Sequence, residues 1–315
     1  MNTTPRSTNR LWLPTRRQFI GGTLAAGFLA ACGSNDDSSG ASAIPASAGS
    51  TPGTDGSTPT TDGADPAEPD TWTVVQRFPQ NTQVPGLIRL PFSLSTGAAE
   101  FILDGPTELG AQVTTLDGEP IGDRITAVRR DTEPAPYYSF RPTIEEPGFY
   151  QLVIEGGPED GASFDVAEPG TVQVPVPGDT LEPFDTPTEA DPGGVDPICT
   201  RDPICPLHAV TLTEALTSDK AVAYYVGTPA FCQTGTCAPG LEVLIAAQED
   251  YGDRFEFVHA EVYTDTTATE PAPAVTQLGL FFEPVLFVTD ANGTLIERLD
   301  AIFDDSELRE TLGRV

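Results

Sequence analysis

The chain has 315 residues, with 16 basic against 47 acidic side chains and a net charge of −31. That charge argues against a nucleic-acid partner or an anionic lipid surface. An apolar content of 38%, diluted by linkers, leaves room for two modest cores rather than one large one. The acidic residues are scattered rather than in runs, as on a solubilising surface.

Residues 1–31 carry Arg6, Arg10, Arg16 and Arg17 and no acidic residue. The apolar segment 19–31 is too short to span a bilayer. Thr15-Arg16-Arg17-Gln18-Phe19-Ile20 resembles the twin-arginine export signal, and Leu29-Ala30-Ala31-Cys32 resembles a bacterial lipobox. The two resemblances imply a signal peptide over 1–31, cleavage before Cys32 and lipidation of that cysteine. The expected location is the outer face of the bacterial cytoplasmic membrane, with the protein exported and lipid-anchored. Residues 32–70 are mostly Gly, Ser, Thr, Asp, Pro and Ala, with no basic or aromatic side chain. Such a segment cannot bury enough surface to offset its ordering entropy, so it reads as a disordered tether. As a flexible coil it reaches about 35 Å.

Between 71 and 175, short strand-like runs recur at 72–75, 86–90, 99–103, 125–128, 137–140, 149–154 and 162–166. Strands at this spacing, with no competing helical period, predict an all-β sandwich. The run Glu146-Pro147-Gly148-Phe149-Tyr150-Gln151-Leu152 resembles the tyrosine corner of immunoglobulin-like domains, with Leu152 where antibody domains place a cysteine. No His or Cys occurs in this region, so it offers no chemistry and reads as a spacer or docking module. Residues 176–198, rich in Pro and acidic side chains, predict an extended linker packed along the next domain.

The region 199–315 carries the chemistry. Helix-like text at 212–215 precedes the apolar run 221–226, short and β-branched or aromatic, as expected of a strand buried on both faces. Gly227-Thr228-Pro229 ends that run. Cys232 and Cys237 follow, and then Leu241, Leu244 and Ile245 at helical spacing. A cysteine at a strand-to-helix junction meets free N–H groups and the helix dipole, which stabilise a thiolate. A strand over 255–263, an acidic loop over 264–273, a hairpin of 285–288 with 294–299, and a helix over 306–312 capped by Ser306 complete the region. This order predicts a mixed sheet with helices on both faces.

Gly279-Leu280-Phe281-Phe282-Glu283-Pro284, followed by an apolar strand and an Asn-Gly turn, is similar to the thioredoxin segment that carries a cis-proline. The resemblance covers about 207–315. It implies an α/β thioredoxin-like domain following the immunoglobulin-like one, with Pro284 facing Cys232. By the same resemblance Cys232 attacks, Cys237 resolves and Pro284 shapes the client groove, in thiol–disulfide exchange that needs no cofactor. The partners implied are thiols and disulfides of exported proteins and a membrane electron donor or acceptor.

The spacing departs from the family's C-x-x-C. Cysteines five positions apart in a helix have Cα atoms about 8.5 Å apart, beyond the limit of about 7 Å for a disulfide. Cys232 is therefore expected in the loop before the helix, with Gly235 allowing a tight turn. Cys199 and Cys205 form either a permanent loop staple or a relay exchanging with the other pair, and pairing across the two motifs stays open. A copper or zinc site built from Cys232, Cys237 and His208 is the metal alternative. It is similar to Sco copper chaperones but lacks their late His, since none follows His259, itself read as a core residue. The competing class is a non-catalytic binding or scaffold protein that keeps the fold.

Overall fold

The computed structural model describes residues 72–315, which lie in one compact unit. The export signal, Cys32 and the tether lie outside the described residues. Among the described residues, no helix is long and apolar enough to cross a membrane.

The first half is built of strands: β1 Thr73–Gln76, β2 Gly86–Leu87, β3 Leu90–Ser95, β4 Glu108–Thr115, β5 Pro120–Arg130, β6 Tyr137–Phe140, β7 Thr143–Ile144, β8 Gly148–Ile154 and β9 Ala162–Val166. Seven of them form one antiparallel sheet in the order β1-β3-β6-β5-β4-β8-β9, while β2 and β7 pair separately. The sheet curls because the long β5 serves two partners. Its first part pairs with β4, and only Arg129 and Arg130 pair with β6. Inside the curl lie Leu90, Phe92, Phe140, Leu152 and Phe164, an arrangement compatible with a β-sandwich. From Tyr150 onward β8 alternates buried and half-buried positions, as a strand with one face inward must. At its entry the Tyr150 hydroxyl donates to the Glu146 carbonyl at 2.8 Å.

Two sequence expectations fail here. The run 99–103 is not a strand; Phe101 makes only an isolated bridge to Ser95. The strand β4 was missed in the sequence although Leu109, Ala111 and Val113 alternate and line the core, because the small Gly110 and Ala111 make that alternation weak. The expected strand 86–90 splits in two, and the break turns Arg89 inward to 6% exposure.

The second half follows as α1 Leu212–Leu216, β10 Ala221–Val226, α2 Cys237–Tyr251, β11 Phe255–Ala260, α3 Pro273–Gln277, β12 Val285–Thr289, β13 Leu295–Asp300 and α4 Asp305–Leu312. Its sheet has the order β11-β10-β12-β13, with β10 and β11 parallel and the other pairs antiparallel. Helix α2 makes the crossover between the parallel strands. Leu241 and Leu244 of α2 and Leu308 and Leu312 of α4 cover one face of the sheet together with Tyr225. Leu212 of α1 and Leu278, just after α3, cover the other with Tyr224. Six consecutive buried residues in β10 follow from that double cover.

Local chemistry sets the helix ends. Thr211 and Glu214 form a reciprocal capping box at α1. At α4 the cap is Asp304, whose carboxylate accepts the Glu307 N–H, not Ser306 as expected. The short α3, opened by Pro273 at its first turn, follows directly on the expected loop, in a stretch for which the sequence suggested no element. The segment after β9 runs along this half: Gly178 N–H donates to Leu295 at 2.8 Å and Leu181 N–H to Gly293 at 2.9 Å.

The halves are joined through Glu307, fully buried on α4. Its carboxylate receives Arg89 at 2.9 and 2.7 Å, Arg141 at 2.8 Å, Ser139 at 2.7 Å and Tyr137 at 2.5 Å. All four partners come from the strand-rich half.

Candidate functional site

Thr228 and Pro229 end β10 and release the chain into a loop that carries Cys232 outside α2, as the spacing requires. Gly235 turns this loop with φ of +71°, and its N–H donates to the Cys232 carbonyl at 3.3 Å. A side chain at that φ would be strained. Cys237 is the first residue of α2.

The N-terminus of α2 lacks the usual side-chain cap. Thr236 occupies the cap position, but its hydroxyl pairs with Thr234 at 2.8 Å instead. The Cys232 sulfur takes that role, accepting the Cys237 N–H at 3.3 Å and lying 3.2 Å from the Thr234 hydroxyl. Free N–H groups and the positive helix end thus focus on one sulfur. The Cys237 thiol donating to it, followed by Thr234 and the backbone N–H groups of Cys237 and Thr236, draws the Cys232 pKa down to about 4 against the opposing effect of burial. Burial and the neighbouring thiolate push Cys237 well above the usual thiol range. Cys232 is half-buried and Cys237 fully buried. One thiol is ionised and reachable; the other is protonated and shielded.

Glu283 completes this cluster. Its carboxylate and both sulfurs lie within 4.8 Å of one another. Burial first, then the charges of Cys232 and Glu261, raise Glu283 to about 7. Pro284, buried at the entry to β12, follows through a cis Glu283–Pro284 peptide. Beside the cluster lies a groove of about 450 Å³ lined by Thr234, Tyr263, Leu280, Phe281, Phe282 and Glu283. Phe281 is 62% exposed there.

The remaining cysteines are placed elsewhere. Cys199 and Cys205 converge with His208 and His259, all four buried and their ligating atoms within 4.8 Å of one another. His208 therefore belongs with Cys199 and Cys205, and the metal set of Cys232, Cys237 and His208 is not brought together. No disulfide links any of the four cysteines among the described residues. Each local pair has its sulfurs adjacent, whereas the two pairs sit in separate clusters. In the deeper one, the Cys205 thiol donating to Cys199, helped by His208 and His259, lowers Cys199 and raises Cys205.

Sequence reasoning missed three groups. Glu283 stood in the quoted motif without a role, although a carboxylate directly before the groove proline was the available signal. His259 was read as core, and burial bears that out, but its Nδ1 faces two sulfurs. Arg77, buried in the strand-rich half, has its pKa lowered by burial, while the charge of Cys232 opposes that shift; nothing in the sequence brings these two together. Compared with family models and with curated proteins, the chain matches none.

Proposed function

We propose that the chain is a thiol–disulfide oxidoreductase acting through Cys232 and Cys237. The observation that carries this reading is the Cys232 sulfur at the uncapped start of α2, accepting the Cys237 N–H at 3.3 Å beside a buried partner thiol. A depressed thiol pKa stabilises the reduced form and makes the corresponding disulfide oxidising. The direction inferred is oxidation of client dithiols.

In that direction a client thiolate attacks the Cys232–Cys237 disulfide at Cys232. A client–Cys232 bond forms, the Cys232–Cys237 bond breaks, and Cys237 leaves as a thiolate that takes a proton, for which Glu283 is the adjacent source. The second client thiol then loses its proton and attacks the client sulfur of the mixed disulfide. Cys232 departs as its stable thiolate. The client is oxidised by two electrons and the cysteine pair is reduced by two. An electron acceptor at the membrane restores the pair.

The βαβ unit followed by a hairpin and a helix supports a thioredoxin-like reading of the second half. The Tyr150–Glu146 hydrogen bond supports an immunoglobulin-like reading of the first. Export and lipidation at Cys32 belong to the same proposal and rest on the N-terminal motifs. The test is a redox titration of the purified protein with mass mapping of thiols. Opening of Cys232–Cys237 as a unit at a mildly oxidising potential is expected; a pair that stays bonded until the protein unfolds refutes exchange.

A further inference from the structure

We propose that Cys199, Cys205, His208 and His259 form a closed, tetrahedral zinc site bracing the loop that carries Cys232. Four convergent donors carry this inference. His259 Nδ1 lies 3.1 Å from His208 Nε2, 3.4 Å from the Cys205 sulfur and 3.7 Å from the Cys199 sulfur. Zinc bond lengths of about 2.0–2.1 Å to nitrogen and about 2.3 Å to sulfur, arranged tetrahedrally, place ligands about 3.4 Å apart for N···N and about 3.6 Å for N···S. The three edges that meet at His259 Nδ1 lie within about 0.3 Å of that tetrahedron.

The protonation pattern agrees. His259 Nε2 lies 2.9 Å from the Gly227 carbonyl. A carbonyl only accepts, so Nε2 carries the proton and Nδ1 presents its lone pair inward. This is the outer-shell bond that orients histidine ligands of metals. Exposures of 3% or less at all four residues leave no place for water, as in structural rather than catalytic zinc sites. Two thiolates, two neutral imidazoles and a divalent ion sum to zero charge, which suits a site embedded among Leu207, Ala223 and Tyr225. A donor set of two sulfurs and two nitrogens in a tetrahedron favours zinc over the harder divalent ions.

The site sits where bracing is needed. Gly227, bonded to His259, begins the active loop. Thr200, next to Cys199, accepts the Ala230 N–H at 3.0 Å and donates to Glu261 at 2.8 Å. Arg201 reaches Glu242 of α2 at 2.6 Å. An ion here fixes both flanks of the Cys232 loop. The inference rests on this geometry alone and stands whether or not Cys232 exchanges disulfides.

The experiment uses the full chain, purified without chelator and then given Zn²⁺ or Co²⁺. One zinc per chain is expected by elemental mass spectrometry, with thiolate-to-cobalt charge-transfer bands in the Co²⁺ form. Cys199 and Cys205 should resist alkylation until a chelator is added, while Cys232 reacts in either case; this arm needs no substitution and is immune to folding defects. Cys205→Ser and His259→Ala should lose the metal, and the double variant Cys232→Ser/Cys237→Ser should keep it. A Cys199–Cys205 disulfide with no bound metal overturns the inference. So does metal that survives His259→Ala but is lost with Cys232 and Cys237, which would place the ion on the Glu283 cluster.

Discussion

Replacing Cys237 by Ala tests the electrostatics of the exposed thiol directly. The substitution removes the thiol that donates to Cys232, the largest of the influences lowering its pKa. It leaves the backbone N–H of position 237 and the Thr234 hydroxyl in place. A hydrogen bond to a charged group contributes about 1.5–3 kcal/mol, and about 1.4 kcal/mol corresponds to one pH unit. The ionisation midpoint of Cys232 should therefore move from about 4 upward by about one to two pH units. At pH 5 the wild-type thiol is about nine-tenths ionised and the variant between about one-tenth and one-half, so alkylation should slow about two- to tenfold. The assay is iodoacetamide trapping of the reduced protein across pH, with peptide mapping to isolate Cys232. A wild-type midpoint near the ordinary thiol value of about 8.5 would refute the reasoning, as would a variant whose midpoint does not move.

Glu307→Ala should destabilise the protein by about 3–5 kcal/mol, since it leaves Arg89 buried without its ion-pair partner, while the half-buried Arg141 keeps Glu297; urea midpoints measure it. Burial alone would raise the Glu307 carboxyl, but Arg89, Arg141 and the Tyr137 hydroxyl outweigh it and hold the group well below the usual range. Its stabilisation is therefore complete above the unfolded carboxylate value of about 4.3 and fades as pH falls below that, so wild type and variant should converge in acid. Glu283 has the opposite sign. Its folded pKa is raised to about 7, so its stabilising contribution is present below about 4.3 and lost as pH rises to about 7. Glu283→Gln should then be more stable than wild type at pH 8 in denaturant titrations, yet slower to release reduced Cys237. Phe281→Ser should raise KM for a peptide dithiol while leaving the alkylation rate of Cys232 unchanged, because Phe281 lines the groove without touching the sulfur's donors.

Legibility followed the physics of each segment. The run 221–226 was readable to the residue because double burial demands uninterrupted apolar side chains. The placement of Cys232 before α2 followed from helix geometry, and Gly235 supplied the turn as expected. Strand β4 was hidden because sheet pairing there is satisfied by small and polar residues. The cap of α4 was misassigned by two positions, since Asp304 and Ser306 are equally good acceptors and only the chain's path selects between them. The convergence of His259 with Cys199 could not be read at all: 60 positions separate them, and they meet because the segment before α1 runs along the outer edge of β11, where the His259 N–H donates to the Leu207 carbonyl at 2.9 Å.

The strand-rich half was read from sequence as a spacer or docking module, because it holds no His or Cys. Its placement argues for a further role. The Glu307 cluster ties its β6 face to α4, and Glu307 cannot move without uncovering a buried carboxylate. Held in that way, the turn before β6 reaches the active loop: Pro134 Cγ lies 3.7 Å from where a side chain on Gly235 would begin. Arg77, from the loop after β1, is near enough to respond to the charge of Cys232. One side of the reactive loop is thereby covered by the same chain, and the Phe281 groove is the flank left open beside Cys232. On the proposed function a client enters along that groove, and the residues that restrict access to the thiol come from a half of the protein that holds neither of the two exchanging cysteines.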